Sequence, residues 1–137
     1  MNKGLKTKLL CFTLDCKDLD ELARFYVKLL DWEIGFQNEE WAAIHAPGTE
    51  QGAYPYILLQ KNLEYKPPVW PTEPNAQQQM AHLDIAVNDL EKAVEHAVEC
   101  GATVSCKQFS DKWTTLFDPA GHPFCLCLME KVFAVSE

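Results

Sequence analysis

The chain has 137 residues, enough for one ordinary domain or for two half-domains sharing a core, and too few for two independent domains. Twelve Lys and Arg stand against twenty Asp and Glu, a formal net charge of −8, with no basic run. This acidic balance excludes phosphate-backbone recognition and attachment to an anionic membrane, so no nucleic acid and no membrane is expected as a partner.

The first predicted element is a half-buried strand over 8–16. Leu10, Phe12, Leu14 and Cys16 alternate with Cys11, Thr13 and Asp15. Its apolar run is stopped by Asp15 and is too short for a signal h-region or a membrane span, so a cytoplasmic protein is expected. Asp18 then reads as a helix N-cap with Glu21 three residues on, and Leu19, Leu22, Phe25, Tyr26 and Leu29 form an apolar stripe to about Leu30. Three β-prone runs follow at 32–37, 40–46 and 54–60, separated by turn-forming residues.

Pro67, Pro68, Pro71 and Pro74 exclude regular structure from the stretch 61–79, which reads as a connector between modules. A second strand over 81–88 leads to Asp89 as N-cap, a helix to Cys100, and Gly101 as its stop. Closing strands are expected at 103–108, 112–117 and 123–129. The last two are joined by Asp118, Pro119, Ala120 and Gly121, a type I turn pattern. The order strand, helix, three strands thus occurs twice, over 8–60 and 80–130. The two copies align at an offset of 71 residues: Phe12 answers Leu83, Leu14 answers Ile85, Asp18 answers Asp89, and Val27 answers Val98. A seam between duplicated modules is a common place for a ligand.

The six cysteines show neither CxxC nor finger spacing, and they read as reduced thiols acting mostly as small buried hydrophobes. Among the histidines, His45, His96 and His122 take structural readings, His96 because its counterpart is Phe25 and His122 because it lies in a turn. Trp70 stands among the connector prolines and needs a packing partner, either a pocket rim or a dimer partner. Trp41, Tyr54 and Tyr56 are further candidates for apolar pocket walls.

The tandem βαβββ order, the helix entry Asp18, Leu19, Asp20, Glu21, Leu22, Ala23, Arg24, Phe25, Tyr26, and the closing Asp118 to Pro123 turn together resemble the vicinal oxygen chelate superfamily. Its members include glyoxalases, extradiol dioxygenases, fosfomycin-resistance transferases and bleomycin-binding proteins. The resemblance covers nearly the whole chain, 1–137, and is strongest to small glyoxalase-like proteins, whose connector carries a run similar to Tyr65 to Pro71. It implies an α+β fold of two βαβββ modules forming curled mixed sheets, a homodimer, and a divalent metal held on the concave side.

Strand parity sets what that resemblance implies for the site. His82 takes the usual ligand position of the second module, opposite Leu83 and Ile85. The offset gives Cys11 as its counterpart, with Thr13 on the same face. Cys125 stands where the family commonly has Glu, and aligning 55–58 with 123–126 makes Ile57 the fourth position.

The set Cys11, Ile57, His82 and Cys125 lacks the carboxylates and repeated imidazoles that Mg, Mn, Fe or Ni sites need. No metal or other cofactor is therefore expected. The alternative is a soft ion such as zinc on Cys11, His82 and Cys125. Asp84 shares the His82 face and could orient its imidazole as a general base. His82 is the candidate catalytic residue, including as activator of a Cys11 or Cys125 nucleophile. The expected function is binding of a small-molecule ligand in the concave cavity, lined by Cys11, Thr13, Ile57, Trp70, His82, Asp84 and Cys125. The alternative is a metal-dependent lyase or dioxygenase with an atypical ligand set.

Overall fold

The computed structural model describes residues 4–50 and 54–134. The chain divides into two compact units, Met1–Leu63 and Glu64–Glu137.

In the first unit, β1 (Cys11–Cys16), α1 (Leu19–Leu30), β2 (Glu33–Gln37), β3 (Trp41–His45) and β4 (Tyr56–Lys61) build a mixed four-stranded sheet in the order β1-β4-β3-β2. The edge pair β1 and β4 is parallel, while β4 with β3 and β3 with β2 are antiparallel. Asp18 caps α1 by accepting from the Glu21 amide at 3.0 Å, and Asp31 ends it in the left-handed region at φ 55°. Of the expected stripe Leu19, Leu22, Phe25 and Tyr26 are buried, with Ala23 beside them, on the side of α1 that packs on the sheet bearing Ala42, Ile44 and Leu59, while Leu29 is only half-buried. Phe25 and Tyr26 meet edge to face at 4.9 Å.

The second unit repeats the plan with β5 (Leu83–Val87), α2 (Leu90–Cys100), β6 (Thr103–Val104), β7 (Trp113–Phe117) and β8 (Pro123–Leu128) in the order β5-β8-β7-β6, followed by a short α3 (Glu130–Ala134). Again the edge pair is parallel and the rest antiparallel. Asp89 caps α2 through the Lys92 amide at 3.1 Å. Gly101 ends it at φ 124°, a conformation that favours glycine, with its amide donating to Ala97 and Val98. The turn after β7 closes through the Gly121 amide on the Asp118 carbonyl. The buried Asp118 carboxylate accepts from the Ala120 and His122 amides and lies 2.8 Å from His122 Nδ1. The connector is tied to this turn by Tyr65, whose hydroxyl donates to the Ala120 carbonyl.

The repeated α+β order of the sequence is thus the order of the elements, with three differences. The strand expected over 103–108 is only two residues long, because beyond Val104 the Gln108 side chain takes over the pairing, donating to the Thr115 carbonyl and accepting from its amide. The helix α3 carries no signal in the sequence reading. The apolar face of the first strand is buried only toward its end. Cys16 is inaccessible, whereas Leu10 and Phe12 are about half exposed, since α1 packs on β2, β3 and β4 and leaves the start of β1 uncovered. No helix among the described residues is long and apolar enough to cross a membrane.

Candidate functional site

Each sheet has one face toward its helix and one away from it, and directly paired residues share a face. In the second unit Leu83 pairs with Phe124 and Ile85 with Leu126 on the helix side. Asp84 pairs with Cys125, Ala86 with Cys127, Thr115 with Cys125 and Trp113 with Cys127 on the other. His82, two residues before Asp84, joins that second face.

The result is a cluster. His82 Nε2 lies 3.1 Å from Asp84 Oδ1, and a ring nitrogen of His82, a carboxylate oxygen of Asp84 and Sγ of Cys125 all lie within 4.8 Å of one another. Thr115 Oγ1 is 3.4 Å from the Cys125 sulfur. Burial pushes the Cys125 thiol above its ordinary value of 9.0; the Thr115 hydroxyl opposes the rise and the Asp84 carboxylate adds to it. Cys127 is raised as well, by burial first and then by the charges of Asp84 and Cys125. Both thiols therefore stay protonated at neutral pH, which disfavours the nucleophile reading of Cys125.

Beside this cluster is a cavity of about 260 Å³ lined by Trp70, Gln79, His82, Phe109, Trp113, Thr115, Pro123 and Cys125. The connector tryptophan has found its partner: Trp70 and Phe109 rings meet at 6.0 Å, tilted by 58°. The Lys107 ammonium sits 5.3 Å from the centre of the Phe109 ring. Trp70 Nε1 and Gln79 Oε1 are buried without a hydrogen-bond partner among the described residues.

Of the residues expected from sequence, His82, Asp84, Cys125 and Trp70 thus come together in one unit. Cys11 and Thr13 belong to the first unit, where Cys11 Sγ lies 3.9 Å from Thr13 Oγ1. Ile57 is a correction. It pairs with Phe12 and is buried on the helix side, so it does not share the face of Cys11. The register that sets Asp84 against Cys125 sets Thr13 against Leu58, which makes Leu58 the counterpart of Cys125. The misplacement is a one-residue slip, which flips a side chain to the opposite face.

Trp113 and Thr115 were missed, although their alternation with the apolar Leu116 marks the same face as Cys125. Phe109 lies in a loop whose course nothing in the sequence announces. Tyr54 and Tyr56 line a separate cavity of about 210 Å³ in the first unit with Gly35, Phe36, Ala43 and His45. The six cysteines are thiols rather than disulfides; only Cys16 and Cys125 are buried, and Cys106 is exposed.

The sequence matches the family model described as a glyoxalase-like domain over residues 11–127. The chain belongs to this glyoxalase-like family. No curated protein sequence matches it. Its fold is that of the trypanothione-dependent glyoxalase I of Leishmania major, 16% identical, with 96% of this chain and 92% of that one covered at a TM-score of 0.64. A glyoxalase/bleomycin resistance protein/dioxygenase family enzyme from Burkholderia phytofirmans PsJN is 13% identical, with 88% and 97% covered at 0.64. TnmS3, an antibiotic binding protein from Streptomyces sp. CB03234, is 15% identical, with 90% and 96% covered at 0.58.

For the divalent metal that the superfamily resemblance implies, the donors of this glyoxalase-like protein give a divided answer. One imidazole, one carboxylate and one thiol are a poor set for Mg or Mn, which favour oxygen ligands. They match the nitrogen, oxygen and sulfur donors that zinc accepts, and such an ion would act at that face as a Lewis acid.

Proposed function

We propose that this protein binds a small organic molecule with a flat apolar body in the cavity of its second unit. The observation that carries the reading is the aromatic lining itself: Trp70, Phe109 and Trp113 line one cavity together with His82, Thr115 and Cys125. Few polar groups amid apolar walls is the composition of a small-molecule site, and about 260 Å³ suits a ligand of modest size. Affinity comes from burying aromatic surface, orientation from the His82 and Thr115 polar atoms. TnmS3 is described as an antibiotic binding protein, so ligand capture occurs on this fold.

A metal-dependent lyase or dioxygenase is the second reading, favoured by the His82, Asp84 and Cys125 cluster. It draws less support, because Cys125 stands where the family resemblance expects the glutamate that would also serve as base. We assign the protein to the cytosol, where its six thiols would stay reduced, and expect a homodimer, which light scattering tests directly.

The ligand reading is tested by titrating a panel of small aromatic acids, phenols and heteroaromatic amides while following tryptophan fluorescence and melting temperature. A hit should raise Tm in the wild type and lose most of that shift in Trp113→Ala. A panel whose hits shift Trp113→Ala as much as wild type would refute the assignment.

A further inference from the structure

We propose that the cavity of about 210 Å³ in the first unit is a separate site for a small organic cation of the methylated-ammonium class, held by Phe36, Tyr54, Tyr56 and Glu50. This site goes beyond the aromatic-ligand reading of the second unit and shares no residue with it.

A break in the ladder between β2 and β3 gathers the rings. Ile34 pairs with Ile44, but Phe36 pairs with Ala43, so the register shifts at Gly35. Such a bulge re-aims the side chain that follows it. Ile34 keeps the helix side with Ile44 and Ile57, whereas Phe36 joins the opposite side with Ala43 and Leu58. Tyr56 immediately precedes Ile57 in β4, so it lies on that opposite side as well. Ala43, paired directly with Phe36, adds only a methyl group to the lining. The bulged residue has a second part: a Cβ at Gly35 would come within 2.7 Å of the His45 ring, so a glycine there lets that imidazole lie against the β2 backbone. Tyr56 is buried while Phe36 and Tyr54 are more than half exposed, and the aromatic lining therefore runs from the core to the surface.

The polar groups at this cavity accept rather than donate. His45 Nδ1 lies 3.0 Å from the Ala46 carbonyl oxygen, which can only accept, so the neutral ring carries its proton on Nδ1 and Nε2 is an acceptor. The same carbonyl accepts from the Thr49 hydroxyl at 2.6 Å, which orders the turn leading to the Glu50 carboxylate. Among the described residues no Lys or Arg lines the cavity. Aromatic faces present the negative side of the ring quadrupole, and three rings beside one carboxylate attract a cation while offering nothing to an anion. Methyl groups on the cation select it further, since they cover ring surface and spread the charge toward the faces, where a strongly hydrated Na⁺ or K⁺ would have to shed water. A neutral apolar guest would use the rings but gain nothing from Glu50. The cavity of the second unit has aromatic walls but no carboxylate in its lining, so the two sites differ in the charge they accept.

The test uses choline and 3,3-dimethylbutan-1-ol, its neutral isostere with carbon in place of nitrogen, each titrated into the full chain while side-chain resonances are followed. Choline should saturate one site per chain at least about tenfold more tightly than the alcohol, with the largest shifts at Phe36, Tyr54 and Tyr56. Tyr54→Leu, at an exposed position, should weaken choline about fivefold, and Tyr54→Phe should restore it, because the ring rather than the hydroxyl provides the attraction. Glu50→Gln should weaken choline and leave the alcohol unchanged. Trp113→Ala, in the other unit, should leave choline binding intact, which separates failure of this site from failure of the aromatic-ligand reading. Four results would each overturn the proposal: no binding of choline, equal affinity for choline and the alcohol, displacement of choline by an equal concentration of K⁺, or a loss of binding in Trp113→Ala that Tyr54→Leu does not share.

Discussion

The two units share one plan and spend it differently. In the first, α1 buries five side chains, with Phe25 and Tyr26 at its centre. In the second, the residues at the same offset are His96 and Ala97, and Ala97 alone of α2 is fully buried. The faces away from the helices show the reverse contrast. Cys11, Thr13 and Leu58 in the first unit answer His82, Asp84 and Cys125 in the second. The helix-side pattern keeps the fold, so the other face is free to diverge. In this chain the unit with the lighter helix holds the candidate site.

The contrast can be broken most forcefully at the helix. Phe25→Ala should cost about 3–5 kcal/mol of stability, measured by urea unfolding, whereas His96→Ala at the equivalent position should stay within about 0.5 kcal/mol. Similar losses at the two sites would mean that the helices are not used differently. What the units share is sharpened by their caps. Asp18→Ala and Asp89→Ala each remove a 3.0 or 3.1 Å bond to a first-turn amide, and each should cost about 1 kcal/mol.

A smaller effect separates the faces by pH. Cys125 and Cys127 have thiols raised above 9.0 in the fold, so the unfolded chain loses these protons first. Stability is therefore full below about pH 9 and declines as pH rises through the raised values. Cys125→Ala should flatten that decline in a series of alkaline melts, and an unchanged slope would count against the burial of the thiol. The smallest effect is at the connector. Trp70→Phe keeps an aromatic ring against Phe109 while removing an indole N–H that has no hydrogen-bond partner among the described residues, so stability should change by less than about 1 kcal/mol, on the favourable side.

The repeat, the caps and the helix stripes could be read from the sequence because each is local: period and offset survive without knowing which strands pair. Thus Asp18 and Asp89, and the faces of His82, Asp84 and Cys125, follow from spacing alone. What could not be read depends on pairing between distant segments. Placing Ile57 required the β1–β4 register, and one residue of slip exchanged it for Leu58. Phe109 reaches the cavity from a loop and Trp70 from the proline-rich connector, where no periodicity says which way a side chain turns. The half-exposed Phe12 was misjudged for the same reason, since alternation marks a face but not how far the helix extends over it.

The most direct test of the account is to map where a small aromatic molecule binds, by following amide and side-chain resonances during titration of a ligand that raises Tm. The account predicts perturbations centred on Trp70, Phe109, Trp113 and Thr115 in the second unit. Perturbations centred instead on Phe36, Tyr54 and Tyr56 in the first unit would contradict it.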